Sequence, residues 1–476
     1  MNKKDTKYYI SYITTGDPFI DIGGLALKTI EEIFFEKDLL EIIEYVTDIY
    51  IERWNQKLHS VFHTNSKILN PSTKGKHKKN TIGYYNSIIE QADVPGHIDK
   101  GYCKTCGKIG RLYLNSREFF PISGSSAFVN FHHSHEKGIF LCNECTLKLF
   151  FVPLGVIVVG GKNGFLHAQS DHVRNFWKKE IIIENLNKIS RNSSDGILRT
   201  EYTNPQNALF KFAGKIIQEI SDANASEYLQ LINFTNFGAS PDCTIHILPN
   251  PIFTFLNKVL RYFPKQWYKF INRYYRIKGA KWNIENQQWL KESRKEAQIL
   301  MDTDYLNNPN DIYEKLLSNK SILGHLLSTY KNRFIYQLEK FPIEITHYYI
   351  TEVLNMTKEQ VGVIARIADV IFELSRKENS YKKYLFMLES AGKAYELRGT
   401  LLKIIKANFQ SGAKEPLIRM EDYVNYLFPD GQYWGEVRDL LLIHLYEKLH
   451  DEGVNLEAIP EEEVVETIEN EPVDQF

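Results

Sequence analysis

Five cysteines stand in this chain, and four of them fall in a pattern that does chemistry: Cys103-x2-Cys106, thirty-five intervening residues, then Cys142-x2-Cys145. Thiolates are soft ligands, and a C-x2-C pair carries two of them on one tight turn, so two such pairs can surround a single tetrahedral ion. The first pair has glycine directly after its second cysteine, in GYCKTCGKIGR, where backbone N–H groups must turn toward sulfur. Zn2+ fits four thiolates best in a reducing compartment where disulfides do not persist. Four sulfurs leave no position open for water, so the expectation is a structural zinc that staples the fold and performs no hydrolysis. The alternative is buried or paired cysteine without a metal. Cys243 has no neighbouring partner and reads as a core residue.

Between the pairs lies NFHHSHEKGIF, with His132, His133 and His135. A His-His pair just before a C-x2-C matches an HNH nuclease, in which zinc knuckles flank a single-metal active site and a histidine acts as general base. That pattern expects another histidine after the last knuckle, and CTLKLFF supplies none before His167. A zinc-knuckle nuclease using His132 or His133 is the alternative reading; loop histidines that pack beside the zinc or touch a phosphate are the simpler one. Nucleotide loops find no support, because TTGDPFIDIGGLAL (14–27) and VVGGKNGF (158–165) match neither G-x-x-x-x-G-K-[ST] nor G-x-G-x-x-G. Their glycines read as turn positions, with Asp21 or Gly23 near a helix start.

Cations make the second candidate chemistry. From Pro251 to Ile284 there are eight basic residues, ten aromatics and no acid. Lys258, Arg261, Lys265, Lys269, Arg273 and Arg276 are spaced 3, 4, 4, 4 and 3 apart, which on a helix makes one cationic stripe that attracts phosphates, although Pro264 must start or kink that helix. Tyr262, Trp267, Tyr268, Tyr274, Tyr275 and Trp282 read mainly as a core face, with base stacking as the alternative. Lys74, Lys76, His77, Lys78 and Lys79 form a second cluster in a segment, PSTKGKHKKNTIGYYN (71–86), that reads as a surface loop. Together the two clusters suit a duplex or a guide strand, and neither holds a sequence code; solvated basic faces without a ligand are the bland reading.

The elements that must position these groups are legible in outline. A chain of 476 residues, 43% hydrophobic and 13% aromatic, buries a large core shared by two to four domains. Helical periodicity follows the opening loop up to residue 70; LFFVPLGVIVVGGKNGFLHAQ (149–169) reads as two apolar strands joined by a glycine turn; amphipathic helices dominate from about 207, and Thr357 to Leu449 is almost wholly helical. The expected class is α+β: a mixed α/β N-terminal domain (1–100 and 148–345, the latter with the basic helical stretch), an inserted four-cysteine zinc-knuckle subdomain (101–147), a C-terminal helical bundle (346–450) and an acidic, disordered tail (451–476). The tail holds ten acids and no Lys or Arg, so the overall charge of −1 hides a body near +9, suited to a polyanion. MNKK followed by tyrosines is no signal peptide, and LFFVPLGVIVVGG (149–161) is too short to span a bilayer, so the chain reads as cytosolic.

TTGDPFIDIGGLAL at the start, the two separated C-x2-C pairs, LINFTNFGASPDCTIHILPN (231–250) and a helical end together make the chain resemble the CXXC-CXXC large-subunit family of type I-B CRISPR systems. The resemblance implies a non-catalytic large subunit of a Cascade-like, RNA-guided surveillance complex in a prokaryotic cytoplasm. Such a subunit lies by the 5′ handle of the crRNA, helps recognise the short motif (PAM) flanking the target, holds the opened DNA and recruits a helicase-nuclease. Sequence reading is left to guide–target pairing. The implied partners are crRNA, target DNA, the backbone repeat subunit, the handle-capping subunit, the small subunit, and helicase-nuclease or transposition factors, with no membrane. In related systems the helical C-terminal part resembles the separate small subunit, which can be made from an internal start. Here Met356 directly precedes TKEQ, a capping box from Thr357 to Gln360. Lys382, Lys383, Lys393, Arg398, Lys403 and Lys406 are then candidates to face a DNA strand. A structural scaffold of a nucleoprotein outside CRISPR is the remaining alternative.

Overall fold

The computed structural model describes residues 10–123, 138–238, 241–292, 297–428 and 434–454. The chain divides into two compact units, Met1–Thr254 with Leu306–Pro309 and Phe255–Tyr305 with Asn310–Phe476. The class is α+β, as expected from the sequence. Among the described residues no helix is long and apolar enough to cross a membrane.

The first unit opens with α1 (Pro18–Ile33), whose start is set by Asp17: its carboxylate accepts from the backbone N–H of Phe19 and of Ile20, both at 3.0 Å, and Pro18 supplies a preset φ. Burial pushes the Asp17 carboxyl up to about 6. Then come α2 (Leu39–Asp48), with a capping box between Asp38 and Glu41, and α3 (His77–Ile89). Strands β1 (Ile98–Tyr102), β2 (Ile109–Asn115) and β3 (Ile139–Cys142) form a small antiparallel sheet in that order and lead into α4 (Asn143–Leu149) and α5 (Val152–Gly155). The rest is β4 (Ile157–Val159), β5 (Lys162–His167), α6 (Asp171–Trp177), α7 (Glu184–Ser190), β6 (Leu198–Arg199), α8 (Pro205–Glu219), β7 (Leu229–Thr235) and β8 (Asp242–Leu248). Its larger sheet has the order β6-β4-β5-β7-β8. Phe19 from α1 packs edge-on against Phe165 of β5 and Phe234 of β7, which seats the first helix on this sheet.

In the second unit, the last turns of α9 (Asn250–Tyr262) are followed by α10 (Pro264–Arg273), the antiparallel sheet of β9 (Ala280–Asn283), β10 (Gln288–Glu292) and β11 (Ala297–Ile299), and α11 (Asp302–Tyr305). Then come α12 (Asp311–Leu317), α13 (Leu323–Ile335), α14 (Ile343–Tyr348), α15 (Lys358–Glu378), α16 (Tyr381–Glu389), α17 (Ala394–Gln410) and α18 (Trp434–Asp451). Thr357 caps α15 as its pattern predicts: Gln360 N–H donates to Thr357 Oγ1 at 3.2 Å and Thr357 N–H to Gln360 Oε1 at 2.8 Å. The buried face of α18, including Leu441 and Leu445, forms the centre of the helical bundle with Ile367 and Ile371 of α15.

Four local readings change. Gly23 and Gly24 sit inside α1, not in a turn; a Cβ on Gly23 would lie 2.1 Å from the Lys148 carbonyl oxygen, so this glycine lets α1 approach α4 backbone-close. Of LFFVPLGVIVVGGKNGFLHAQ, the first part is helical and only 157–159 and 162–167 are strands, joined at Gly160-Gly161, both at positive φ. Segment 71–86 is a loop only as far as Lys76, after which α3 begins. The region beyond 207, read as helical, also holds β7 to β11, because the buried residues of LQLINFT are shared between two neighbouring strands, a tertiary fact without helical period.

Candidate metal centre and cationic surfaces

The first cysteine pair rides on the β1–β2 turn. Cys103 N–H donates to the Lys108 carbonyl at 2.9 Å and Gly107 N–H to the Cys103 carbonyl at 3.0 Å, with Gly107 at φ 73°. A side chain at that φ would be strained, which accounts for the glycine directly after Cys106. The second pair rides on the β3–α4 junction: Cys142 ends β3 and caps α4, and Cys145 lies in the first turn of α4. The two turns are sewn together by Lys104 N–H donating to the Phe140 carbonyl at 3.1 Å.

All four sulfurs lie within 4.8 Å of one another, and Cys103, Cys142 and Cys145 are buried. The Cys106–Cys142 separation of 3.7 Å equals the edge of a tetrahedron built on thiolate–metal bonds of about 2.3 Å. Thr105 Oγ1 sits 3.4 Å from Cys103 Sγ and donates to Cys145 Sγ at 3.3 Å, a hydroxyl that orients two of the sulfurs. S–H donors from Cys142 and Cys145 hold the Cys103 thiol far below its usual range. The Cys103 thiolate in turn drives the Cys142 thiol up to about 12 and that of Cys145 higher still. The clustering of four sulfurs at this spacing is compatible with a metal ion among them, and the donor set fits one. Glu144, on the first turn of α4, accepts from Lys108 Nζ at 2.8 Å and from Ser11 N–H at 3.0 Å, tying the knuckle to the segment before α1.

A second group of ligand type, Asp93, His97 and Asp99, is largely exposed and already holds a cation: Arg111 reaches Asp93 at 2.7 Å and Asp99 at 3.0 Å. His132, His133 and His135 lie outside the described residues, as does the acidic tail beyond Val454. Cys243, read as a core residue, is exposed on β8 instead. The reason is its place in the sheet: β8 is an edge strand, exposed over most of its length.

The basic stretch is divided: Lys258 and Arg261 lie on α9, Lys265, Lys269 and Arg273 on α10, and Arg276 beyond it. Phe263 breaks the run and Pro264 opens α10, so the six cations do not share one helix. Lys258 pairs with Glu352 at 2.6 Å, Lys269 with Glu339 at 2.7 Å and Arg276 with Glu314. Arg261 bonds Asn257, and Arg273 bonds Ser328 Oγ at 3.1 Å while stacking on Tyr274. Lys265 has no carboxylate at ion-pair distance among the described residues. Lys269 and Arg273 do line a cleft of about 70 Å3 with Trp282 and Lys340. Trp267 and Tyr275 are buried, as a core face requires, whereas Tyr262 is 54% exposed.

In the first unit Lys78 pairs with Asp48 at 2.5 Å and His77 is buried, its Nε2 on the Asn70 carbonyl at 2.8 Å, so that cluster is partly structural. Lys74, Lys76 and Lys79 have no carboxylate at ion-pair distance among the described residues. Lys382 and Lys383 fall in the first turn of α16, and Lys383 pairs with Glu378 at 3.4 Å. The surface of α17 sets such unpaired cations beside exposed aromatic rings. Lys393, Lys403 and Lys406 are exposed without a carboxylate at ion-pair distance among the described residues, beside Tyr395 at 64% and Phe409 at 76% exposure. Tyr395, Leu402 and Phe409 recur every seven residues on one face, a signal present in the sequence but not singled out there.

Residues 97–157 match the family model of a CRISPR-associated protein, Cas_CXXC_CXXC. The matched segment runs from the start of the small sheet to β4 and contains all four clustered cysteines. It supports a CRISPR-associated CXXC-CXXC protein. No curated protein and no solved structure matches the chain. LINFTNFGASPDCTIHILPN, another stretch that carried the resemblance, holds most of the β7–β8 pair, and two of its asparagines are structural: Asn236 Nδ2 donates to the carbonyls of Val61 and Arg117, and Asn233 Nδ2 to those of Val159 and Asn163.

Proposed function

We propose that this chain is the non-catalytic, zinc-stabilised large subunit of a type I-B CRISPR surveillance complex, contacting crRNA and target DNA, taking part in PAM recognition and R-loop stabilisation, and recruiting the helicase-nuclease. The observation that carries this reading is the enclosed quartet of sulfurs inside the segment that matches a CRISPR-associated family. Zn2+ is the ion of choice because four thiolates in tetrahedral array suit it, and a closed shell of four sulfurs leaves no coordination site for a hydrolytic water. The ion's task is then to hold the small sheet and α4 together, and through Glu144 the segment before α1.

Nucleic acid is contacted in this reading through cations not consumed by the fold. Lys74, Lys76 and Lys79 supply a phosphate-binding patch on the first unit. On the second, α17 combines ammonium groups with exposed aromatic rings, the pairing that grips single strands by backbone charge and base stacking. This surface is assigned to the displaced or target strand. The other Cascade subunits and the helicase-nuclease or transposition factors remain its expected partners.

Purification of the complex with guide RNA and partner subunits, with and without this chain, tests the proposal. Loss of binding to a target bearing its flanking motif is expected when the chain is omitted; equally tight binding would overturn the role. Metal-dependent nicking of DNA by the purified chain would overturn the non-catalytic assignment.

A further inference from the structure

A cavity of about 300 Å3 opens in the first unit beside α1, α4 and α6, and none of the four clustered cysteines lines it. Lys28, Lys148, Arg174 and Lys178 line it together with the carboxylates of Asp21 and Asp171 and the side chains of Tyr12 and Thr14. The carboxylates are already engaged. Asp21 accepts from Thr15 N–H at 2.7 Å, Thr15 Oγ1 at 2.9 Å and Gly16 N–H at 3.1 Å, with His167 Nε2 at 3.4 Å. Asp171 takes Arg174 at 2.5 Å, and Lys178 pairs with Glu32 outside the lining.

Lys148 is the anomaly. It is only 4% exposed, its stem lies against α1 where a Cβ on Gly24 would meet its Cδ at 3.1 Å, and its ammonium stands 6.0 Å from the centre of the Tyr12 ring. Among the described residues it has neither a carboxylate nor a hydrogen-bond acceptor, and Lys28 at the rim has no carboxylate either. The stem is buried while the ammonium opens onto the cavity, and a lysine tip that meets no counter-charge there can take an anion that enters it. Two unengaged ammonium groups beside a guanidinium and the Thr14 hydroxyl exceed what one carboxylate ligand can use, and suit a group with several acceptor oxygens and more than one negative charge.

We propose that this cavity is a phosphate-binding site, with Lys148 at its floor and Lys28 and Arg174 at its mouth. The phosphate has two candidate sources of the same chemistry, a nucleotide or free phosphate on one hand and an RNA strand on the other. This inference stands on the cavity alone and does not depend on the CRISPR reading.

Calorimetric titration of the full chain with inorganic phosphate, AMP, and a short single-stranded RNA with and without a 5′-phosphate tests it. Binding of at least one probe is expected, weakened about ten-fold by Lys148→Met and about three-fold by Lys28→Gln, with an affinity that falls as salt rises. Binding of phosphate and AMP assigns the free-nucleotide source; binding confined to the 5′-phosphorylated RNA assigns a strand end, and binding to RNA irrespective of its end assigns the backbone. If Lys148→Met does not fold, the rim variants Lys28→Gln and Arg174→Gln decide. Absence of binding of every probe at millimolar concentration, or affinities that these variants leave unchanged, would overturn the site.

Discussion

In the first unit four sulfurs converge on one another, whereas in the second most of the cations of residues 258–276 are drawn apart and given partners. Lys258, Lys269 and Arg276 each meet a glutamate from another segment, and Arg273 is held by Ser328 and the Tyr274 ring. Convergence of like groups makes a site that an outside ion fits. Dispersal onto internal partners leaves little demand at all. The same contrast separates the paired cations of the 258–276 stretch from those of α17, which keep their charge for solvent or for a ligand.

The largest effect expected from this contrast is at the cysteines. Cys106→Ser removes one of four ligands, and because metal binding is linked to folding the melting temperature should fall by on the order of 10 °C, with bound zinc dropping from about one per chain to near none. Thermal melting with elemental analysis checks this; an unchanged melt would mean that the sulfurs need no ion.

A pH experiment probes the second unit, where burial of His444 beside His347, with Asp369 and Lys448 also close, lowers its value to about 4. The folded state prefers neutral His444, so its native arrangement is fully stable above the unfolded value of 6.5 and loses stability as pH falls from 6.5 toward about 4. The loss is about 3 kcal/mol by linkage, seen as a lower urea midpoint at pH 4 than at pH 7, and His444→Leu should flatten that part of the slope.

Gly23→Ala comes next. The new methyl meets the Lys148 carbonyl oxygen at 2.1 Å, so α1 must shift from α4 at a cost of about 1–3 kcal/mol, measurable by chemical denaturation. Because Lys148 also floors the proposed phosphate cavity, the same variant should alter phosphate affinity.

The smallest effect is also the one that sharpens the comparison most. The pair Lys403→Gln and Lys406→Gln should weaken single-stranded DNA binding by the complex about three- to ten-fold and flatten its dependence on salt, while Lys269→Gln, whose charge is spent on Glu339, should change it less than about two-fold. Fluorescence anisotropy at two salt concentrations reads both. The opposite ranking would show that an internal ion pair does not withdraw a lysine from binding.

Local chemistry was legible in the residues themselves. The C-x2-C spacing identified the ligand set, Thr357 and Gln360 identified the start of α15, and Pro264 the start of α10, since each acts over two to four residues of chain. The seven-residue recurrence of Tyr395, Leu402 and Phe409 was equally readable, but a helical apolar face alone does not say whether it is buried.

By itself, then, the sequence determined which sulfurs belong together, where several helices begin, and that the chain mixes helix with sheet. Tertiary structure alone decided that Gly23 marks a helix contact instead of a turn, that Lys258 and Lys269 are paired with glutamates, and that the Lys148 ammonium meets no carboxylate among the described residues. The reason is distance along the chain: Glu352 is 94 residues from Lys258 and Glu339 is 70 from Lys269, and no periodicity records a partner so remote. A ligand set declares itself by residue type, whereas an ion pair or an unpaired charge exists only once the packing has chosen its neighbours.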